Sequence, residues 1–429
     1  MNLELANLEI ANGRIVDPAA GVDREASLFI ADGRVAAVGR APDGWHAERV
    51  IDARGLVVAP GFVDLAARLR EPGLEHKATL ESELGAAVAG GVTSLACPPD
   101  TDPPLDEPGL VEMLKHRARM LNQAHVYPVG ALTQHLAGES LTEMGELAEA
   151  GCVAFSQADA RLIDTQLLMR AMQYARTFGH RVWLRPQDAY LAQGGVAHEG
   201  EVATRLGLAP IPVIAETVAL STIFALMRVT GVAVHLCRLS SADGVALVRA
   251  AKAEGLPVTC DVGVHHLHLC DVDIGWFDPQ AYFVPPLRGT RDRDALRAAL
   301  ADGTIDCVCS DHAPVDDDAK QLPFAEAEPG ATGLELLLPL TLQWAAKSRL
   351  PLKEALARMT SIPASILGIA AGTLAPGAPA DVCMFDPDEA WRVQPATLKS
   401  QGRNTPYIGL EVVGRVRCTI VGGTVVHAA

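Results

Sequence analysis

The stretch Val232-Ala233-Val234-His235-Leu236-Cys237 is a short apolar run rich in β-branched residues. Residues 242–253 then take up helical spacing, and Pro257-Val258-Thr259-Cys260-Asp261-Val262 returns to a strand-like run. Strand, helix and strand in quick succession read as one βαβ unit, because parallel strands need a long crossover, usually a helix. Working outward, the same switch of period recurs along the middle of the chain. Strand candidates are 56–64, 92–97, 125–130, 152–155, 181–185, 232–237, 257–262 and 305–310. Helical stretches at 79–89, 107–119, 141–150, 163–178, 215–229, 242–253 and 291–301 follow nearly every one. Eight strand–helix repeats predict an α/β fold, a (β/α)8 TIM barrel, with its chemistry at the C-terminal ends of the strands. A doubly wound open sheet is the alternative, but no Gly-x-Gly-x-x-Gly turn follows an early strand.

The two ends of the chain carry a different pattern. Asn12-Gly13, Asp32-Gly33 and Gly422-Gly423 each sit between apolar stretches, and such dipeptides favour the positive φ angles of a two-residue hairpin turn. Residues 1–55 and 371–429 are therefore expected to form one small composite β-sandwich, and 56–370 the barrel. The 429 residues hold 36 Lys+Arg and 52 Asp+Glu, a formal charge of −16, with 49% apolar residues. That composition supports a large core and excludes a disordered chain. The acidic balance disfavours nucleic acid and anionic membranes as partners, since both need a basic face. Met1-Asn2-Leu3-Glu4 lacks the basic start of a signal peptide. The uncharged stretch 359–380 is broken by Pro363, Pro376 and Pro379, so it reads as a short helix and a loop. Nine cysteines without a Cys-x-x-Cys pair read as buried free thiols in a reducing, cytoplasmic setting.

The residues past each strand carry the functional signal. Pro60-Gly61-Phe62-Val63-Asp64, Leu69-Arg70-Glu71-Pro72-Gly73, Ser310-Asp311-His312-Ala313-Pro314, Gly372-Thr373-Leu374 through Ala380-Asp381, and Gly402-Arg403-Asn404-Thr405-Pro406 occur in that order over nearly the whole chain. Together they resemble the dihydroorotase family of the amidohydrolase superfamily. The resemblance implies an amidohydrolase-type barrel with a β-sandwich from both termini. It also implies a zinc enzyme that closes N-carbamoyl-aspartate to dihydroorotate in pyrimidine biosynthesis. The family's metal site takes a His-x-His pair after the first strand, a bridging carboxylate after the fourth, one His each after the fifth and sixth, and an Asp after the eighth. Here those positions hold Ala66 and Arg68, Gln157, Arg185, Arg238 and Asp311. Asp311 alone keeps the family's residue.

Zinc needs lone-pair donors, and catalytic sites use about three protein ligands plus water. Alanine offers none, and arginine carries five N–H groups, no acceptor and a charge it keeps up to about pH 12. No zinc is expected, and without it there is no activated water and no Lewis acid on the amide. Of the substrate contacts, Arg70 matches the family's carboxylate-binding arginine, while Asp100 replaces an asparagine and sets an anion where an anion should bind. Structurally, Arg68, Arg185 and Arg238 are expected to fill the vacated space and pair with Asp311, Asp159 or Asp188, since buried charges must be paired. His265, His266, His268 and His312 resemble a metal cluster by composition, although neighbours on a strand point to opposite faces. The resemblance extends to dihydroorotase-like chains that lack the metal ligands and assemble with the aspartate carbamoyltransferase catalytic chain in large hetero-oligomers. This favours a non-catalytic structural partner, itself self-associating as a dimer. Two alternatives stay open: an active dihydroorotase or related cyclic amidohydrolase with an atypical metal site, and a small-anion sensor at the arginine-rich mouth.

Overall fold

The computed structural model of the protein describes residues 7–429; positions 1–6, at the head of the first terminal segment, lie outside them. Eight parallel strands follow one another around the barrel in sequence order. They are Phe62–Asp64, Val92–Cys97, His125–Ala131, Ala154–Ser156, Val182–Leu184, Val234–Leu236, Val258–Gly263 and Cys307–Cys309. The ring closes just beyond the last strand. Ser310 donates from N and Oγ to the Asp64 carboxylate at 2.7 and 2.5 Å, and Arg68 N and His312 N bond across to His312 O and Ala66 O. Asp64 is fully buried, and burial pushes its pKa up to about 6 against the pull of the Ser310 bonds. Helices with one apolar stripe pack outside; for instance Thr165–Thr177 buries Leu168, Ala171, Met172 and Ala175, and starts on an Asp164 cap.

The second unit is one curled sheet built from both ends of the chain. Its strands run in the order Thr424–Ala428, Glu411–Val421, Val382–Arg392, Val57–Pro60, Leu8–Asp17, Val22–Ala31 and Arg34–Val38, with Arg49–Asp52 also on Leu8–Asp17. Its two extremities meet at Ala380, whose N–H bonds Gly33 O and whose carbonyl accepts Gly423 N. Leu8, Ile10, Ile15, Leu28, Val382 and Ile420 are among its core residues.

Two local expectations change. The expected strand 56–64 is two: Val57–Pro60 pairs antiparallel with Phe385–Val382 in the terminal sheet, and only Phe62–Asp64 enters the barrel. The break falls at Gly61, where a Cβ would lie 2.1 Å from Thr93 Oγ1. Asn12-Gly13 is not a hairpin turn. Leu8–Asp17 runs through it as one strand, with Asn12 at φ 64 and the register shifting between Ile10 and Gly13, a β-bulge that brings Val58 against the missing Cβ. At Asp32-Gly33 and Gly422-Gly423 both residues do take positive φ and the chain does reverse. All nine cysteines are free. No helix among the described residues is long and apolar enough to cross a membrane.

Candidate functional site

Strand alternation aims every second side chain into the barrel, so residues just past several strands converge at its mouth. Arg68 follows the first strand, Asp100 the second, Asp159 the fourth, Arg185 the fifth, Arg238 the sixth and Asp311 the eighth. They meet in one ion-pair network with Asp159 at its centre. Arg68 Nη2 donates to Asp159 Oδ2 at 2.7 Å and Arg238 Nη2 to Oδ1 at 2.5 Å, while Arg185 Nε bonds the same Oδ1. Arg68 Nε also donates to Asp100 Oδ2 at 2.7 Å. Arg238 Nη1 bonds Asp311 Oδ1 at 3.0 Å, and Arg68 Nη1 stands 3.8 Å from it.

The three arginine side chains are only 6–9% exposed, and Asp311 4%. Burial works to raise the Asp159 pKa, but Arg238, Arg185 and Arg68 overcome it and hold the carboxyl well below the ordinary carboxylate range. Asp311 goes the other way, with burial raising its pKa against the opposing pull of Arg238 and Arg68. Three guanidinium groups face three carboxylates, and each carboxylate is claimed by at least one N–H donor.

The other expected positions fall around this network. Ala66 lines a cavity of about 30 Å3 beneath the arginines, with Leu65, Val129 and Trp183, large enough for about one water. Gln157 turns away from the arginines; it accepts from Thr133 Oγ1 and donates to Leu136 O. Arg70, at φ 63, donates from Nε to Pro314 O at 2.8 Å and pairs with no carboxylate among the described residues. Burial and then the neighbouring Arg68 lower its pKa. Asp188 takes no part, contrary to expectation, since its Oδ1 accepts the Tyr190 and Leu191 N–H groups. Asp100 does not stand as a bare anion in a substrate subsite, because Arg68 neutralises it.

The sequence reading missed Trp183, whose ring lies 4.8 Å from that of His235 inside the barrel. The signal was present: Trp183 lies two residues before Arg185, which directly follows the strand, so the alternation aims both inward.

The residues at the mouth do not fit zinc. Ala66 has no donor atom, the arginines have no lone pair to give, and both carboxylates at the centre are held by guanidinium groups. The histidine cluster does not converge either. His312 Nε2 bonds Glu83 at 2.5 Å, His266 and His268 bond the carbonyls of Pro285 and Leu340, and His265 packs between the rings of Phe283 and Tyr407. Among the described residues, His235, Cys237 and Asp261 alone lie close enough to share an ion. There His235 is already bonded to Thr259 and Asp261, the other Asp261 oxygen accepts Arg238 N, and burial raises the Cys237 thiol pKa, which opposes the thiolate a metal needs.

A barrel of this topology with its charged cluster at the strand C-termini and a composite terminal sheet is an amidohydrolase-type scaffold. The dihydro-orotase-like family model matches residues 55–244, and the amidohydrolase family model matches 214–427. The chain is 45% identical over 426 residues to a dihydroorotase-like protein of Pseudomonas aeruginosa, covering 98% of this chain and 99% of that one. It is 41% identical over 426 residues to a dihydroorotase of a Geobacter species, covering 99% and 100%. The L-hydantoinase of Arthrobacter aurescens superposes with a TM-score of 0.88 at 26% identity, over 99% of this chain and 96% of that one. The chain belongs to the dihydroorotase-like family of the amidohydrolase superfamily.

Proposed function

We propose that this chain is a dihydroorotase-like pseudoenzyme, a non-catalytic structural partner of the aspartate carbamoyltransferase catalytic chain in pyrimidine biosynthesis. The observation that carries the reading is the Asp159 hub. Three covalently attached guanidinium groups converge on Asp159, and one of them, Arg238, also holds Asp311, the one metal-ligand position that keeps the family's residue. A guanidinium neutralises charge but has no empty orbital to polarise an amide and no water to activate, so the scaffold keeps its electrostatics and lacks an electrophile. The partner half of the proposal is supported by the family resemblance, and a stable barrel without a working metal site is what such a role requires. Elemental analysis joined to a dihydroorotate hydrolysis assay tests the first half; stoichiometric zinc with turnover refutes it. Co-expression with an aspartate carbamoyltransferase chain tests the second, with a joint peak on size-exclusion chromatography expected and separate elution at micromolar concentration counting against it.

A second reading, a small-anion sensor, is favoured by one observation. Arg70 is bonded to no carboxylate among the described residues and lines a cleft of about 180 Å3 with Arg68 and Arg238, and also with Asp100, Asp159, Asp311 and Glu328, so Arg70 is the cation left to meet an anion there. A small carboxylate or phosphate metabolite bound there would raise the melting temperature by mass action. No shift across pathway intermediates disposes of that reading.

A further inference from the structure

A cleft of about 300 Å3 runs between the barrel and the terminal sheet and shares no lining residue with the mouth. Its barrel wall carries Glu335, just before helix Leu337–Ser348. Its sheet wall carries Trp391 on Val382–Arg392, Arg415 on Glu411–Val421 and His427 on Thr424–Ala428, with Lys399 on the connection between the first two strands. Glu335 is a partly buried carboxyl whose donors are main-chain groups, Lys399 N at 2.8 Å and Ser400 N at 3.2 Å, and it forms no ion pair among the described residues. Behind it Glu83, held by His312 and Ser400, adds a second negative charge. Burial, with Glu83, pushes the Glu335 pKa up to about 7 against the pull of those N–H groups.

Across the cleft the sign reverses. Lys399 pairs with no carboxylate among the described residues. Arg415 lies over the Trp391 ring at 5.5 Å and reaches one acid, Glu389 at 3.9 Å, whose other oxygen is bonded to Arg417. His427 is close enough to both that Lys399 and Arg415 add to burial in lowering its pKa. Charges of both signs therefore line one cleft without closing on each other. Charge removed from water is stable only when it is paired, so the two walls call for partners of opposite sign. A lone anion would meet Lys399 and Arg415 but also face Glu335 and Glu83. A lone cation would meet Glu335 but also face the two basic side chains. A zwitterion satisfies both walls at once.

We infer that this cleft binds a free amino acid with an apolar side chain, its ammonium on the Glu335 carboxylate and its carboxylate on Lys399 and Arg415. Trp391, Leu338, Pro339 and Ala396 supply the apolar surface for the side chain. The Trp391 ring is fixed for that task, since its Nε1 donates to Gly414 O at 3.0 Å. Size selects the same class of ligand. The cleft stands at the lower end of the ~300–1,000 Å3 that ligand sites span, which suits a single amino acid better than a nucleotide or a peptide segment. Binding also relieves the cleft of its own conflicts: an ammonium beside Glu335 offsets the repulsion from Glu83, and a carboxylate between Lys399 and Arg415 offsets theirs. The inference concerns a ligand site apart from the mouth and holds or fails independently of whether the barrel turns over substrate.

Isothermal titration calorimetry of the full chain at about pH 7.5, above the Glu335 pKa, should show binding of L-leucine or L-phenylalanine. Two analogues of leucine each lack one charge: 4-methylpentanoate has no ammonium and isoamylamine no carboxylate. Each should bind at least ~10-fold more weakly than leucine, the factor expected for losing hydrogen bonds to a charged group. Glu335→Gln keeps an acceptor for the Lys399 and Ser400 N–H groups; it should weaken leucine ~10-fold and leave 4-methylpentanoate unchanged. Lys399→Met should weaken leucine ~10-fold and leave isoamylamine unchanged, and because Lys399 is exposed this variant decides the matter if Glu335→Gln fails to fold. No binding of either amino acid up to ~10 mM, an analogue that binds as tightly as leucine, or leucine binding that survives both substitutions overturns the inference. So does leucine binding that is lost on Arg70→Ala and kept in both cleft variants, which would place the amino acid at the mouth.

Discussion

Replacing Asp159 by Asn removes one negative charge from the point where three buried arginines converge. Arg68, Arg185 and Arg238 have side chains only 6–9% exposed, and Arg185 has no other carboxylate. Removing one partner of a buried ion pair costs about 3–5 kcal/mol, because the cation left behind is desolvated without compensation. Three features place Asp159→Asn near the lower end. The amide keeps an acceptor oxygen, the Asp159 side chain is itself 30% exposed, and Arg68 and Arg238 retain Asp100 and Asp311. A loss of about 3 kcal/mol is therefore expected. With an unfolding entropy of ~2.1 cal/mol/K per residue over 429 residues, that is a fall of roughly 3–4 °C in melting temperature by calorimetry. The pH dependence has a definite sign. The folded carboxyl titrates well below the ordinary range, so the wild-type advantage is fully present at neutral pH. Below about pH 4 the unfolded chain takes up a proton that the folded chain refuses, and the advantage shrinks. A variant melting within about 1 °C of wild type at pH 7, or a difference that grows on acidification, would refute the claim that Asp159 neutralises the mouth.

Two further predictions follow from the same chemistry. Restoring histidine at positions 66 and 68 together should yield neither bound zinc nor dihydroorotate hydrolysis, because Gln157, Arg185 and Arg238 still offer no metal-binding set; metal-dependent turnover in that double variant, read by elemental analysis beside the assay, counts against the ligand assignment. Burial pushes the pKa of His265 down to about 3, and those of His266 and His268 to about 4, so all three stay neutral in the folded chain where the unfolded chain protonates. Each pH unit below about 6.5 then costs ~1.4 kcal/mol per such histidine, and His265→Leu should flatten the fall of melting temperature between about pH 7.5 and pH 5; an unchanged slope removes His265 from the account.

How far the sequence discloses this molecule depends on whether the signal is local. The strand–helix alternation is local, and helix limits follow within a few residues: the expected 163–178 is Thr165–Thr177, set by the Asp164 cap. The run 56–64 is misleading because both of its parts are wholly buried, and an apolar strand carries no mark of which sheet it joins. Asn12-Gly13 and Asp32-Gly33 are alike as dipeptides. One bulges because Val58 packs where a Cβ would be, and only the pairing partner reveals that. At the mouth, the identities of Ala66, Arg68, Arg185 and Arg238 are plain in the sequence, but the centre of the network is not. Asp159 is one acid among 52, and its role arises from strand ends far apart in sequence that the barrel brings to one point.

That convergence also explains why the substitutions belong together. Without Asp159, Arg185 would be a buried cation with no carboxylate partner, at a cost of several kcal/mol, while Arg68 and Arg238 would keep only Asp100 and Asp311. A lone Asp159 among metal ligands would be one anion more than the site had balanced. With all four in place, Asp100, Asp159 and Asp311 face Arg68, Arg185 and Arg238, three charges against three, and Arg70 remains the unmatched cation. Reverting one arginine to histidine removes a donor from Asp159 without completing a metal set, so a single step back toward zinc is expected to cost ion pairing before it gains chemistry. The mouth thus rests in an electrostatic minimum separated from the zinc-binding arrangement by several simultaneous changes. That separation, more than the absence of any one ligand, is the physical argument behind the proposal of a non-catalytic barrel.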